Sequence, residues 1–175
     1  NLIPFPVKFS CIIAQNVFAH NSDPYQFLLK CSEMLEDDGT LYIQTSQADM
    51  ILKNEFDTIY HEHVSFFSIN SMNTLLNRTS ELYLCDVIKT PIHGNSYVFI
   101  IKKHPKNICK IQNFIDLEKA DGLHSMATYL KFAKNVNAIK MQLTEVIHSY
   151  IQKGYKLIAY GAAAKGITVL HTFNL

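Results

Sequence analysis

Phe9-Ser10-Cys11-Ile12-Ile13-Ala14-Gln15, read together with Asn21-Ser22-Asp23-Pro24 and Leu41-Tyr42-Ile43, decides the fold. The first stretch is a short apolar run over residues 9–15, the pattern of a buried strand in a parallel sheet. The second starts a helix: Ser22 or Asp23 serves as cap, and Pro24 occupies the first turn, where a missing N–H leaves nothing unsatisfied. Phe27, Leu28, Cys31, Met34 and Leu35 then recur at helical spacing until Asp37-Asp38-Gly39 ends the helix, and Leu41 opens a second strand. Strand, helix and strand in this order form the unit of a doubly wound α/β sheet, so the expected fold class is α/β.

Further along, Ser68 to Arg78 reads as another helix, capped by Ser68 or Asn70. Leu82–Lys89 and Ser96–Lys102 read as strands, and the turn-rich link Thr90-Pro91-Ile92-His93-Gly94-Asn95 folds them into an antiparallel hairpin on the edge of an otherwise parallel sheet. Residues 108–153 are helical in pattern, with Met126, Tyr129, Leu130, Phe132, Ala133 and Val136 on an apolar face. Lys156 to Gly166 reads as a new strand entering a helix through a glycine turn, the start of a second α/β unit. The expected division is residues 1–105 in one domain, 106–153 as a helical connection and 154–175 as the start of the next. The opening residues read like the middle of a protein and include no initiator Met, so the chain is expected to be a fragment.

Composition narrows the function. Of 175 residues, 48% are apolar and 18% charged, enough for a real core and too few charges for a disordered tail. The net charge of +1 and the lack of a basic face give nucleic-acid binding no electrostatic support. Lys102-Lys103-His104-Pro105-Lys106 is the densest basic run and reads as a solvated link. Cys11, Cys31, Cys85 and Cys109 form no CxxC pair and have mostly apolar neighbours, as buried thiols in a reducing compartment do. The apolar run near the start is too short to span a bilayer and lacks the charged start of a signal peptide. No membrane association is expected, and the cytoplasm is the expected location.

The chemistry concentrates in Phe56-Asp57-Thr58-Ile59-Tyr60-His61-Glu62-His63. A phenol, a carboxylate and two imidazoles in four positions are groups that move protons near neutral pH. Val64-Ser65-Phe66-Phe67 follows, a greasy wall that would exclude water and shift pKa values. Whether extended or helical, this segment cannot point all four groups at one substrate. His61-x-His63 is also a zinc-binding spacing, but no third ligand stands nearby, and no metal is expected. A loop whose His and Tyr only satisfy backbone groups is an equally open reading of these residues. His93-Gly94-Asn95-Ser96 reads first as a tight turn, and such a turn would also aim His93, Asn95 and Ser96 beside the sheet edge. The small residues of Tyr160-Gly161-Ala162-Ala163-Ala164-Lys165-Gly166 suit either close strand–helix packing or an anion at a helix N-terminus, with Lys165 adding charge. Asn16 and His20 follow the first strand, and ligands in such sheets bind at the carboxyl ends of parallel strands.

Taken together, these motifs resemble the S-adenosylmethionine-dependent sugar C-methyltransferases, which act on nucleotide-linked keto-deoxysugars. The order and approximate spacing of Asp57–His63, of His93-Gly94-x-Ser96 and of Tyr160–Gly166 carry the resemblance, together with Asn16-Val17-Phe18-Ala19-His20 and Leu35-Glu36-Asp37-Asp38-Gly39. The resemblance implies the C-terminal half of a Rossmann-like class I methyltransferase domain, followed by the start of a C-terminal Rossmann-like domain. The cofactor's Gly-rich loop and the family's zinc cysteines would lie outside this chain. It implies that His63 removes a proton beside the sugar ketone, giving an enolate that attacks the methyl group. Tyr60 and Glu62 would position the sugar. His20, His93, Asn95, Ser96 and Lys165 would contact the substrate, and Asn16 would face the cofactor. Two departures stand out. Gln44-Thr45-Ser46 replaces the family's Glu-x-Pro, and Asn95 and Val98 stand where a second Gly and an Arg are usual. They point to a substrate other than those deoxysugars; a non-catalytic nucleotide-sugar-binding module of the same fold is the second reading.

Overall fold

The computed structural model describes residues 7–91, 96–161 and 163–175. They form two compact units: the first runs to Asp49 and resumes from Glu62 to Leu123, and the second comprises Met50–His61 and His124–Leu175. These limits differ from boundaries at 105 and 153.

The first unit is built on a four-stranded sheet of β1 (Phe9–Gln15), β2 (Leu35–Ser46), β3 (Tyr83–Thr90) and β4 (Ser96–Lys102). The order is β1-β2-β4-β3, with β1 parallel to β2 and the other two pairings antiparallel. The expected hairpin is present, but its second strand lies inside the sheet and its first forms the edge. Tyr97-Val98-Phe99-Ile100-Ile101 is apolar on both faces and suits an interior strand, whereas β3 carries Asp86 and Lys89. β1 is not the buried strand its composition implies. Only Ala14 is buried, and Ile13 is 71% exposed, because β1 is the other edge and has one neighbour among the described residues.

Helix α1 (Pro24–Met34) is capped by Asp23, which accepts the Gln26 N–H at 3.0 Å, with Pro24 in the first turn. It ends at Met34, earlier than expected, because Leu35 is already extended and fully buried as the first residue of β2. The acidic residues then fall in a bulge: Phe9 pairs with Leu35 but Cys11 with Thr40. Gly39 permits it, since a Cβ there would lie 2.8 Å from Leu35 Cδ1 and 3.0 Å from the Glu36 carbonyl oxygen. Helix α2 (Ile69–Thr79) begins with a reciprocal capping box between Ser68 and Ser71. Helix α3 (Ile108–Ala120) seats Ile111 in the same core, which explains why it belongs to the first unit. Leu28, Leu35, Ile43, Met72, Leu76 and Phe99 are fully buried there, each worth about 1.5–3 kcal/mol relative to exposure.

The second unit contains a 3-10 turn at Phe56–Thr58, α4 (Met126–Gln152) and α5 (Ala164–Phe173). Phe173 is buried with its ring 5.1 Å from Phe56, and the Thr58 hydroxyl donates to Met50 Sδ at 2.8 Å. The expected helix over 108–153 is interrupted around Gly122, which has φ 78°. The expected apolar face of α4 is not buried; Met126 is 73% exposed. Residues 156–160 are not a strand, and no strand of the described residues pairs with them. The glycine turn is present: Gly161 has φ 134° just before α5. No helix among the described residues is long and apolar enough to cross a membrane.

Candidate active site

At the end of β1 the chain must leave the sheet. Asn16 does this in the left-handed conformation, φ 54°, and donates its N–H to the Gln44 carbonyl at 2.9 Å. A 3-10 turn over Phe18–His20 follows. It is anchored by Phe18, which is fully buried with its ring 5.3 Å from Phe27 and 4.8 Å from Phe67. This anchor holds His20 at the carboxyl end of β1, where open α/β sheets bind ligands.

The Tyr-His-Glu-His segment is neither strand nor helix but a turn. Its downstream side docks onto the His20 turn: the Val64 and Ser65 N–H groups both donate to the Ala19 carbonyl, at 2.9 and 3.2 Å. Two backbone bonds to one oxygen place His63 beside His20, with ring centroids 4.8 Å apart and planes tilted by 57°. Phe66 meets His63 edge-on at 5.7 Å, and His63 is half-buried. Phe66 also lines an open groove of about 530 Å³ together with Ser65, Asn70, Thr74 and Arg78. An imidazole against an aromatic wall and a second imidazole, at the ligand-bearing rim, can accept and pass a proton.

The other residues singled out in the sequence are distributed unevenly. Glu62 belongs to the first unit and is exposed. Tyr60 and His61 belong to the second unit, with rings 6.5 Å apart. Lys165 also lies there, its Nζ 3.9 Å from Asp57 Oδ2. Ser96 is buried at the start of β4, where its Oγ accepts from Gln44 Nε2 at 3.4 Å and lies 3.5 Å from Thr90 Oγ1. Asn16 is exposed at the rim. His93 and Asn95 lie outside the described residues. Reading side chains alone missed the Ala19 carbonyl, which fixes the two histidines together; a backbone acceptor leaves no mark in the sequence. It also missed Tyr97, whose hydroxyl donates to Asp49 Oδ2 at 2.8 Å from within an apolar strand.

Residues 91–175 match the family model described as the C-methyltransferase C-terminal domain. The match covers 85 of the 175 residues. The chain is also 29% identical, over 168 residues, to the C-methyltransferase NovU of Streptomyces niveus. That alignment covers 94% of this chain and 40% of NovU, so the chain spans well under half the length of this curated relative. Among solved structures, it is similar to the plantazolicin methyltransferase BpumL in complex with a pentazolic desmethylPZN analog and SAH. The identity is 12% and the TM-score 0.44, over 59% of this chain and 56% of that one. The matched region begins between β3 and β4 and includes β4, α3, α4 and α5. His20 and His63 lie upstream of it, within the NovU-like part of the chain.

Proposed function

We propose that this chain is the part of a C-methyltransferase that carries the proton-removing group, with His63 as the base. The observation that carries the reading is the His20–His63 pair held at the carboxyl end of β1 against Phe66. Bound S-adenosylmethionine would supply an electrophilic methyl group on a sulfonium. Asn16, exposed where β1 ends, is the residue of this chain assigned to the cofactor side. The substrate is a ketone-bearing sugar linked to a nucleotide, because a ketone acidifies the neighbouring C–H enough for an imidazole to remove its proton. His63 takes that proton, leaving an enolate whose carbon would bond to the methyl group as the methyl–sulfur bond breaks and the sulfonium leaves as a neutral thioether. His20, in ring contact with His63, helps to hold it in place and to carry the charge it gains. Phe66 excludes water from one side of the ring.

Glu62 and Tyr60 are assigned to positioning the sugar, and Lys165, His93 and Asn95 to the substrate's remaining polar groups. These roles rest on the family resemblance. Ser96, buried beside Gln44 and Thr90, supports the hairpin rather than touching the sugar. Cytoplasmic location fits this role and the four free cysteines.

The test uses the full-length protein. Deuterium from solvent should enter the sugar at the carbon beside the ketone, and His63→Ala should lower both this exchange and methylation by about 10²–10⁴-fold. Unchanged exchange and unchanged methylation in that variant would overturn the base assignment.

A further inference from the structure

The groove beside Phe66 has polar groups that proton removal at His63 does not use. Asn70, Thr74 and Arg78 line it at four-residue spacing, which puts all three on one stripe of α2. At 1.5 Å of rise per residue, that stripe is about 12 Å long. Phe66, just ahead of the helix start, lines the same groove and meets the His63 ring at 5.7 Å. The groove holds about 530 Å³, room for a bound small molecule rather than a water.

Its charge is one-sided. Arg78 is the one arginine of the sequence, and no acidic side chain lines the groove among the described residues. None of the ion pairs among the described residues uses Arg78. Its guanidinium carbon lies over the Tyr25 ring, 5.3 Å from the centroid, a contact that steadies a long side chain while leaving its N–H donors facing outward. The start of α2 offers no second positive end, because Glu118 already accepts the Ile69 and Asn70 N–H groups. From Phe66 along α2 the order is therefore a carboxamide, a hydroxyl and then a planar cation. That order suits a ligand with a neutral ring near the base and an anionic group beyond it. Phosphate oxygens match a guanidinium fork two at a time.

We infer that Arg78, Thr74 and Asn70 form the subsite for the diphosphate of the nucleotide-linked substrate. This rests on the reading of His63 as the base toward such a substrate, and it adds the residues that hold the substrate's charge. Arg78 grips the phosphate oxygens; Thr74 and Asn70 donate to the oxygens nearer the sugar.

Calorimetry on the full-length protein with uridine, thymidine, cytidine and guanosine diphosphates tests it, because these carry the diphosphate without the sugar and need no proton removal. At least one should bind wild type, and inorganic pyrophosphate should displace it. Arg78→Gln should weaken that binding by about 10–100-fold, and Arg78→Lys should recover part of the loss, since an ammonium keeps the charge without the fork. Thr74→Val should weaken it by about 3–10-fold. Arg78 is exposed, so its variants should fold as wild type does, which circular dichroism checks. If they do not, the wild-type displacement decides, and its absence overturns the inference. Binding of none of the four to wild type, or equal affinity in Arg78→Gln, overturns it as well. The deuterium exchange that reports on His63 is read separately. Exchange without Arg78-dependent binding sinks this subsite alone, and Arg78-dependent binding with unchanged exchange and methylation in His63→Ala sinks the base assignment alone.

Discussion

Replacing Glu118 by alanine should unseat the first turn of α2. Glu118 is only 5% exposed, and its carboxylate accepts the Ile69 N–H at 2.7 Å and the Asn70 N–H at 3.0 Å. A helix start leaves its first N–H groups without intrahelical partners, and here a side chain from α3, far away in sequence, satisfies two of them. Hydrogen bonds to a charged group contribute about 1.5–3 kcal/mol each, and a negative charge at a helix N-terminus adds about 0.3–1 kcal/mol. The Asn70 N–H is only partly buried, so water recovers some of its share in the variant. The expected loss for Glu118→Ala is therefore about 3–4 kcal/mol in total. Glu118→Gln keeps one carbonyl acceptor but turns an NH₂ toward the other donor, and should lose about half as much. Urea unfolding gives the stability difference. Amide hydrogen exchange adds a local reading, in which the Ile69 and Asn70 amides should exchange faster than those later in α2. If Glu118→Ala stays within about 0.5 kcal/mol of wild type and those two amides keep their protection, the capping role is refuted.

Two further outcomes follow from the packing. Gly39→Ala would place a Cβ 2.8 Å from Leu35 Cδ1 and 3.0 Å from a backbone oxygen, so it should destabilise by about 1–3 kcal/mol in the same urea assay. Titration of native protein with a thiol reagent at pH 8 should show two fast thiols, the exposed Cys11 and Cys109. Cys31, whose thiol burial pushes up to about 11, and Cys85, raised by the same cause, should react only on unfolding, because both stay protonated and shielded.

The parts legible in the sequence were those set by neighbours in the chain. Asp23 with Pro24, and Ser68, each fix a helix start within one turn. The four strands carry enough apolar residues in short runs to be seen singly. What the chain does not spell out is decided by residues far apart. β4 enters the sheet because its two apolar faces need neighbours on both sides, and no local pattern names those neighbours. Leu35 fits the helical spacing of α1 equally well, yet it becomes extended because the sheet buries it. Residues 156–160 have the composition of a strand without a strand beside them. The candidate site divides in the same way. The proton-moving residues and the Phe66 wall stand next to each other in sequence, but the link from His63 to His20 runs through the Ala19 carbonyl.

The position of β4 carries a consequence for synthesis. β2 is complete at Ser46, but the strand that covers its second edge ends only at Lys102. Throughout the intervening translation a nascent chain holds a bare strand rim, which is the kind of surface that recruits other chains into aggregates. Closing the β3–β4 hairpin therefore does more than finish the sheet: it covers an edge of β2 that would otherwise stay open to other strands.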